Sequence, residues 1–117
     1  MSLPGRWQMI RAEFDGQPAP ELILQRTEIR FTATHYAIHF AGQPADRGTF
    51  ELTEAGESKL LILHADTGPN AGRTIPCIFQ LVGDRLRICF GLDGSTPATF
   101  ATSASSHRYL ATYRRLT

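Results

Sequence analysis

The chain has 117 residues, of which 42% are apolar and 20% charged, so it can bury one core but is too short for two lobes around a cleft. The net charge of +1 disfavours a surface that neutralises many phosphates, and no nucleic-acid partner is expected. The longest apolar run, Leu60–Leu63, is far shorter than the roughly 20 residues that span a bilayer. Because Met1–Gly5 has no leader pattern, the sequence predicts one cytoplasmic domain over residues 1–117, or a domain of a longer chain.

Apolar and polar residues alternate between groups of turn-forming residues, and this pattern predicts strands. Eight strands are predicted: Arg6–Phe14, Thr27–Thr32, His35–Ala41, Arg47–Leu52, Lys59–Ala65, Thr74–Val82, Arg85–Phe90 and Tyr109–Leu116. Only Glu21–Gln25, which follows Pro20, is typical of a helical turn, because proline suits a helix start. This turn lies between the first two strands.

The registers of three hairpins can be predicted, because apolar residues that pair across an antiparallel hairpin must face the same side. Matching the sixth and seventh strands places Cys77 opposite Phe90 and leaves Gly83-Asp84 as a two-residue turn. The same procedure leaves Ala33-Thr34 between the second and third strands and places a turn within 55–58 between the fourth and fifth. Sequential hairpins of this kind predict an up-and-down meander.

Eight meandering strands can close into a barrel, with a sandwich as the alternative. The three tight turns fall at one end of the meander. The longer connections fall at the other end, and they are Asp15–Arg26, Gly42–Asp46, Asp66–Arg73 and Gly91–His107. We therefore expect an all-β, eight-stranded antiparallel up-and-down barrel with one closed end and one open mouth.

Several motifs resemble those of lipocalins and of a related bacterial family. Gly5-Arg6-Trp7 resembles the G-x-W signature of lipocalins, whose tryptophan plugs the closed end of the barrel. Further motifs resemble an uncharacterised family of lipocalin-like domains from planctomycetes and related soil bacteria, and they are Asp15-Gly16-Gln17-Pro18, Gly48-Thr49-Phe50, Gly68-Pro69, Gly72-Arg73-Thr74 and residues 83–90. The resemblance implies a lipocalin-like barrel in which Trp7 is the plug and Arg114 or Arg115 packs over it. It implies no particular activity.

The cysteines and histidines do not predict a reactive site. The register puts Cys77 and Cys89 on opposite faces of the sheet, whereas a disulfide needs facing Cβ atoms about 4 Å apart, so two free thiols are expected. The histidines are expected outside the barrel or in a loop, without the convergence that zinc requires, and they are His35, His39, His64 and His107. Haem ligation by one histidine stays an alternative that rests on fold analogy. We expect no catalytic residue, no metal and no cofactor.

The barrel interior is the candidate site, because eight strands leave room either for packed side chains or for one small ligand. Arg11 shares the parity of Trp7 and Met9, so it either points inside towards an anionic partner or lies outside because of a bulge in the first strand. The candidate ligand-binding residues are Arg11 and those that alternation turns inward towards the mouth, namely Tyr36, Ile38, Phe40, Phe50, Leu63, Cys77, Phe79 and Phe90.

These observations predict a non-catalytic protein that binds one small apolar or amphipathic molecule through the barrel mouth. The alternative is a packed barrel that holds no ligand and acts as a structural or protein-interaction domain.

Overall fold

The computed structural model describes residues 3–55, 58–104 and 106–116, which form a closed antiparallel barrel. Its elements are β1 (Gly5–Phe14), β2 (Gln17–Pro18), α1 (Glu21–Arg26), β3 (Thr27–Phe31), β4 (His35–Phe40), β5 (Gln43–Ala55), β6 (Ser58–Thr67), β7 (Thr74–Val82), β8 (Arg85–Gly91) and β9 (Arg108–Arg115). Pairing of β1 with β9 closes the sheet. The predicted all-β, eight-stranded antiparallel barrel is confirmed, and β2 is an added short strand at the end of β1.

The three predicted hairpin registers are also confirmed. Cys77 lies opposite Phe90 in β7 and β8, and the β3–β4 and β5–β6 registers agree with the apolar matching. Gly83 has a φ of +59°, a left-handed conformation that glycine adopts without steric cost. In the β5–β6 hairpin Ala55 pairs with Ser58, whereas turn residues 56 and 57 lie outside the described residues.

The predicted loop Gly42–Asp46 is wrong, because these residues belong mostly to β5. The connection from β4 is only Ala41-Gly42, with φ values of +52° and +81°, which suit the two left-handed positions of a two-residue hairpin turn. A bulge between Ile38 and His39 in the β4–β5 register accommodates the start of β5. Asp46 consequently lies in a strand, directly opposite Ile38.

Helix α1 covers the predicted helical turn and extends it by one residue, with Pro20 at the N-cap position. The Gln8 amide of β1 donates hydrogen bonds to the carbonyls of Leu24 at 2.8 Å and Thr27 at 3.1 Å. These bonds fix the helix over the side of the barrel. The described part of the chain contains no helix that is long and apolar enough to cross a membrane.

The closed half of the barrel is filled by side chains. Six large residues are at most 1% exposed there, and they are Trp7, Ile29, Leu61, Leu86, Ile88 and Tyr113. The Trp7 indole donates a hydrogen bond to the carbonyl of Leu3 at 2.9 Å. The plug is therefore both buried and hydrogen-bonded, as a buried indole requires.

A bulge at Ile10 decides where Arg11 points. The β1–β9 register pairs Met9 with Tyr113 and Arg11 with Thr112, so Ile10 is the extra residue. Met9 and Ala12 are buried on either side of the bulge, whereas the Arg11 side chain is exposed. Of the two alternatives for Arg11, the structure therefore has the outward one, because the inserted residue reverses the in-and-out alternation. The place of Arg11 among the interior ligand-binding residues is wrong.

Candidate functional site

A cavity of about 310 Å³ opens at the mouth of the barrel. Its wall consists of Phe14, Ile38, Asp46, Leu63, Asn70, Ile75, Phe90, Leu92 and Tyr109, and we call this the mouth cavity. Most of these side chains are apolar. Pockets for small molecules begin at about 300 Å³, so the mouth cavity is large enough for one small ligand above the filled closed half.

An aromatic wall runs from the rim into the mouth cavity. The Phe14 ring lies 6.4 Å from the Tyr109 ring, which lies 5.5 Å from the Phe90 ring, measured between centroids. Phe14 is 42% exposed, whereas Phe90 is buried. Burial raises the pKa of Tyr109, and its hydroxyl contacts the Met9 sulfur at 3.7 Å. The wall offers flat apolar surface to a ligand that enters from solvent.

One polar cluster interrupts the apolar lining. Asp46 is 8% exposed. Its Oδ1 accepts a hydrogen bond from the Tyr36 hydroxyl and its Oδ2 accepts one from the Asn70 amide, both at 3.2 Å. The Asn70 oxygen in turn accepts a hydrogen bond from Arg73 at 3.1 Å. This chain of contacts connects the β6–β7 loop to β5 and holds the Asp46 carboxylate at the cavity wall.

The Tyr36 hydroxyl is a permanent donor to this cluster. Burial raises the pKa of Tyr36 above its usual value, and the nearby Asp46 and Asp66 carboxylates raise it further. A phenol with a raised pKa stays protonated at physiological pH. Tyr36 therefore holds Asp46 in place without adding a negative charge of its own.

Three of the predicted ligand-binding residues line the mouth cavity, and they are Ile38, Leu63 and Phe90. Tyr36 lies behind Asp46 and contacts its carboxylate. Phe40, the last residue of β4, is 39% exposed at the rim, so its predicted place in the interior is wrong. Phe40 pairs with Thr27 of β3 and Gln43 of β5 at this end of the strand.

Phe50, Cys77 and Phe79 lie in packed regions and do not line the mouth cavity. Phe50 packs edge-on against Phe31, with ring centroids 5.2 Å apart and an interplanar angle of 82°. Cys77 and Phe79 are buried in the hydrophobic core. Alternation predicts which residues face inward, but the tilt of barrel strands determines the height at which each one lies.

The prediction missed the polar residues of the site and part of its wall. In β5, Asp46 is an even number of positions from Phe50 and therefore faces the same side of the strand. A predicted strand that extended back beyond Gly48 would have placed Asp46 inside the barrel. Gly48 permits this path, because a Cβ there would lie only 2.0 Å from the carbonyl oxygen of His64. Asn70 lies in the β6–β7 loop, where periodicity carries no signal. The remaining missed residues are Phe14, Ile75, Leu92 and Tyr109.

The thiols are buried on opposite faces of the β7–β8 hairpin, as the register predicted. Cys77 faces the core, and Cys89 lies beneath the carbonyl of Ala101 on the outer face, with sulfur and oxygen 4.0 Å apart. Burial raises the pKa of both thiols. Protonated, covered thiols are poor nucleophiles.

The outer surface carries further clefts and an exposed pair of a histidine with a glutamate. One cleft of about 360 Å³ contains Arg11 and Arg87, whose guanidinium lies 4.0 Å from the centroid of Phe100 in the β8–β9 loop. A groove of about 540 Å³ runs along β3–β6, and most of its lining residues are exposed, including the charged Arg30, Arg47 and Asp66. His64 and Glu51 form an exposed pair at 2.6 Å. Within the described segments, no three metal-binding side chains gather.

No protein-family model matches this chain, and no curated protein matches it. Among solved structures, a de novo designed fluorescence-activating β-barrel is similar to it, with 17% sequence identity and a TM-score of 0.48. That match covers 96% of this chain and 92% of the designed one. The barrel architecture of this chain is established by its own strand pairing.

Proposed function

We propose that this protein binds one small apolar or amphipathic molecule in the mouth cavity. The observation that carries the proposal is an open cavity of about 310 Å³ with a largely apolar wall. A ligand that covers this wall removes apolar surface from water, which stabilises the complex by roughly 25 cal/mol per Å². The wall lies at the end of the barrel that is open to solvent, so the ligand needs no opening of the sheet.

The filled closed half supports the same proposal. A binding site is precise when its walls stand on rigid elements, and the mouth cavity stands on strands whose lower parts pack around Trp7. Arg115 lies over the Trp7 ring at 4.2 Å, where the lipocalin resemblance expects an arginine. We therefore propose that the barrel is lipocalin-like.

We propose a binding role without a chemical step. The mouth cavity presents mainly hydrocarbon, and its carboxylate and amide are already hydrogen-bonded to neighbours. The thiols of the barrel strands are buried and have raised pKa values, which favours their unreactive protonated form. The role that fits these groups is the holding of a ligand.

A fluorescent probe tests the proposal. N-phenyl-1-naphthylamine is neutral at pH 7 and brightens in apolar surroundings, and we expect a saturable increase with one probe per chain. Leu22 of α1 is 57% exposed and does not line the mouth cavity. Binding should therefore be unchanged in Leu22→Ser.

Two results would overturn the proposal. One is an unsaturable or absent signal, and the other is a signal that Leu22→Ser removes, since it would locate the probe on the outer surface. In either case the packed barrel that acts as an interaction domain takes the place of the ligand-binding role.

A further inference from the structure

The Asp46 carboxylate is unusual because it is a charged group in the wall of an apolar cavity. It is 8% exposed and lines the mouth cavity. A carboxylate accepts about four hydrogen bonds, and here Tyr36 and Asn70 supply one each at 3.2 Å. Acceptor capacity therefore remains for a group that enters the mouth cavity.

The charge of Asp46 is not neutralised by an ion pair within the described segments. The ion pairs found there join other residues, and the direct partners of Asp46 are a phenol and an amide. Arg73 reaches the site, but its guanidinium donates to the Asn70 oxygen and the Leu92 carbonyl. A buried carboxylate with neutral partners loses much of its hydration without receiving a cation in return.

Aromatic rings complement the Asp46 carboxylate within the mouth cavity. The facing wall of the mouth cavity consists of the Phe90 and Tyr109 rings, whose faces also attract cations. A cation that enters the mouth cavity thus finds favourable groups on both sides, whereas an anion finds a carboxylate.

We infer that the mouth cavity selects amphipathic amines, with the protonated amine at Asp46 and the apolar part against the aromatic wall. The inference rests on the proposed function and specifies its ligand class. The ammonium group supplies up to three donors, and a charge-assisted hydrogen bond to a carboxylate is stronger than a neutral one. A carboxylate-headed molecule of the same length is excluded by repulsion at the same point.

Three eight-carbon competitors that differ only in their head group test the inference on the unmodified protein. 1-Octylamine, 1-octanol and octanoate are each used at pH 7 to displace N-phenyl-1-naphthylamine. We expect 1-octylamine to bind at least about tenfold more tightly than 1-octanol, with octanoate the weakest. Equal affinities, or an advantage for octanoate, would overturn the amine inference and leave the proposed function standing. If neither probe nor competitors bind, the proposed function fails and the inference fails with it.

A pair of variants assigns the preference to one carboxylate. Asp46→Asn removes the charge in the mouth cavity, and Asp66→Asn removes an equal charge from a neighbouring exposed position. We expect the first variant to lose the preference for 1-octylamine while keeping its affinity for 1-octanol, and the second to behave as the wild type. A folded Asp46→Asn protein that keeps the amine preference would overturn the inference. If circular dichroism shows that this variant does not fold, the head-group series on the wild type decides the question.

Discussion

Arg115 lies over the ring of Trp7, with its guanidinium carbon 4.2 Å from the ring centroid. The two residues are directly paired in the β1–β9 register, which is the seam that closes the barrel. The Arg115 side chain also donates a hydrogen bond to the carbonyl of Pro4 at 3.1 Å. These contacts connect the first and last strands of the barrel, and the Arg115 side chain covers Trp7 at the closed end.

Trp7→Ala should destabilise the fold by about 3–5 kcal/mol, because it removes a fully buried indole and leaves a cavity at the closed end. The check is the free energy of unfolding from urea titration. Circular dichroism is the appropriate signal, since Trp7 is the only tryptophan in the sequence. Trp7→Phe is the matched control and should cost less. An unchanged midpoint for Trp7→Ala would show that the plug does not support the barrel.

Alkaline titration should unfold the protein and ionise its tyrosines together. All three tyrosines, Tyr36, Tyr109 and Tyr113, have pKa values raised by burial above the usual 10.0. Below pH 10 the phenols are protonated in both states. Above it the unfolded chain gains from ionisation that the folded chain resists, so stability falls as the pH rises.

Absorbance at 295 nm and circular dichroism measure these two events in one experiment. We expect tyrosinate absorbance to appear only where the circular dichroism shows unfolding. The same protein in concentrated urea should titrate near pH 10. Tyrosinate that forms near pH 10 in the folded protein would contradict the burial of these side chains.

Both thiols should be unreactive in the folded protein. Cys77 and Cys89 are free and buried, and burial raises the pKa of each. With an aromatic disulfide reagent at pH 8, we expect slow reaction in buffer and prompt reaction of two thiols in urea without reductant. Immediate reaction of either thiol in buffer would contradict its burial. No reaction in urea would indicate a disulfide, which the β7–β8 register excludes.

The strand pairing was predictable because tight hairpins couple apolar alternation to short turns. The sequence predicts that Phe31 pairs with Tyr36 in one hairpin and that Cys77 pairs with Phe90 in another. The structure has both registers. The bulges were harder to predict, since one inserted residue in β1 moves Arg11 to the outer face without a change in composition. The start of β5 was missed because Pro44 and Asp46 are of residue types typical of turns.

The candidate site was only partly predictable, because alternation contains no information on height along the barrel axis. Phe50 and Leu63 are directly opposite in the β5–β6 register. Leu63 nevertheless lines the mouth cavity, whereas Phe50 packs against Phe31. Asn70 comes from a loop, whose path depends on tertiary contacts that no local pattern encodes.

This difference between Leu63 and Phe50 supplies the most direct measurement of the central claim, that the ligand lies in the mouth cavity. Leu63→Trp places an indole in the mouth cavity. Phe50→Trp places an indole at the residue that pairs with Leu63 but does not line the mouth cavity. Overpacking costs about 1–3 kcal/mol, so circular dichroism first establishes that both variants fold. In titrations with N-phenyl-1-naphthylamine, we expect Leu63→Trp to lose binding and Phe50→Trp to keep the wild-type affinity. A folded Leu63→Trp protein that binds the probe as the wild type does would contradict the account.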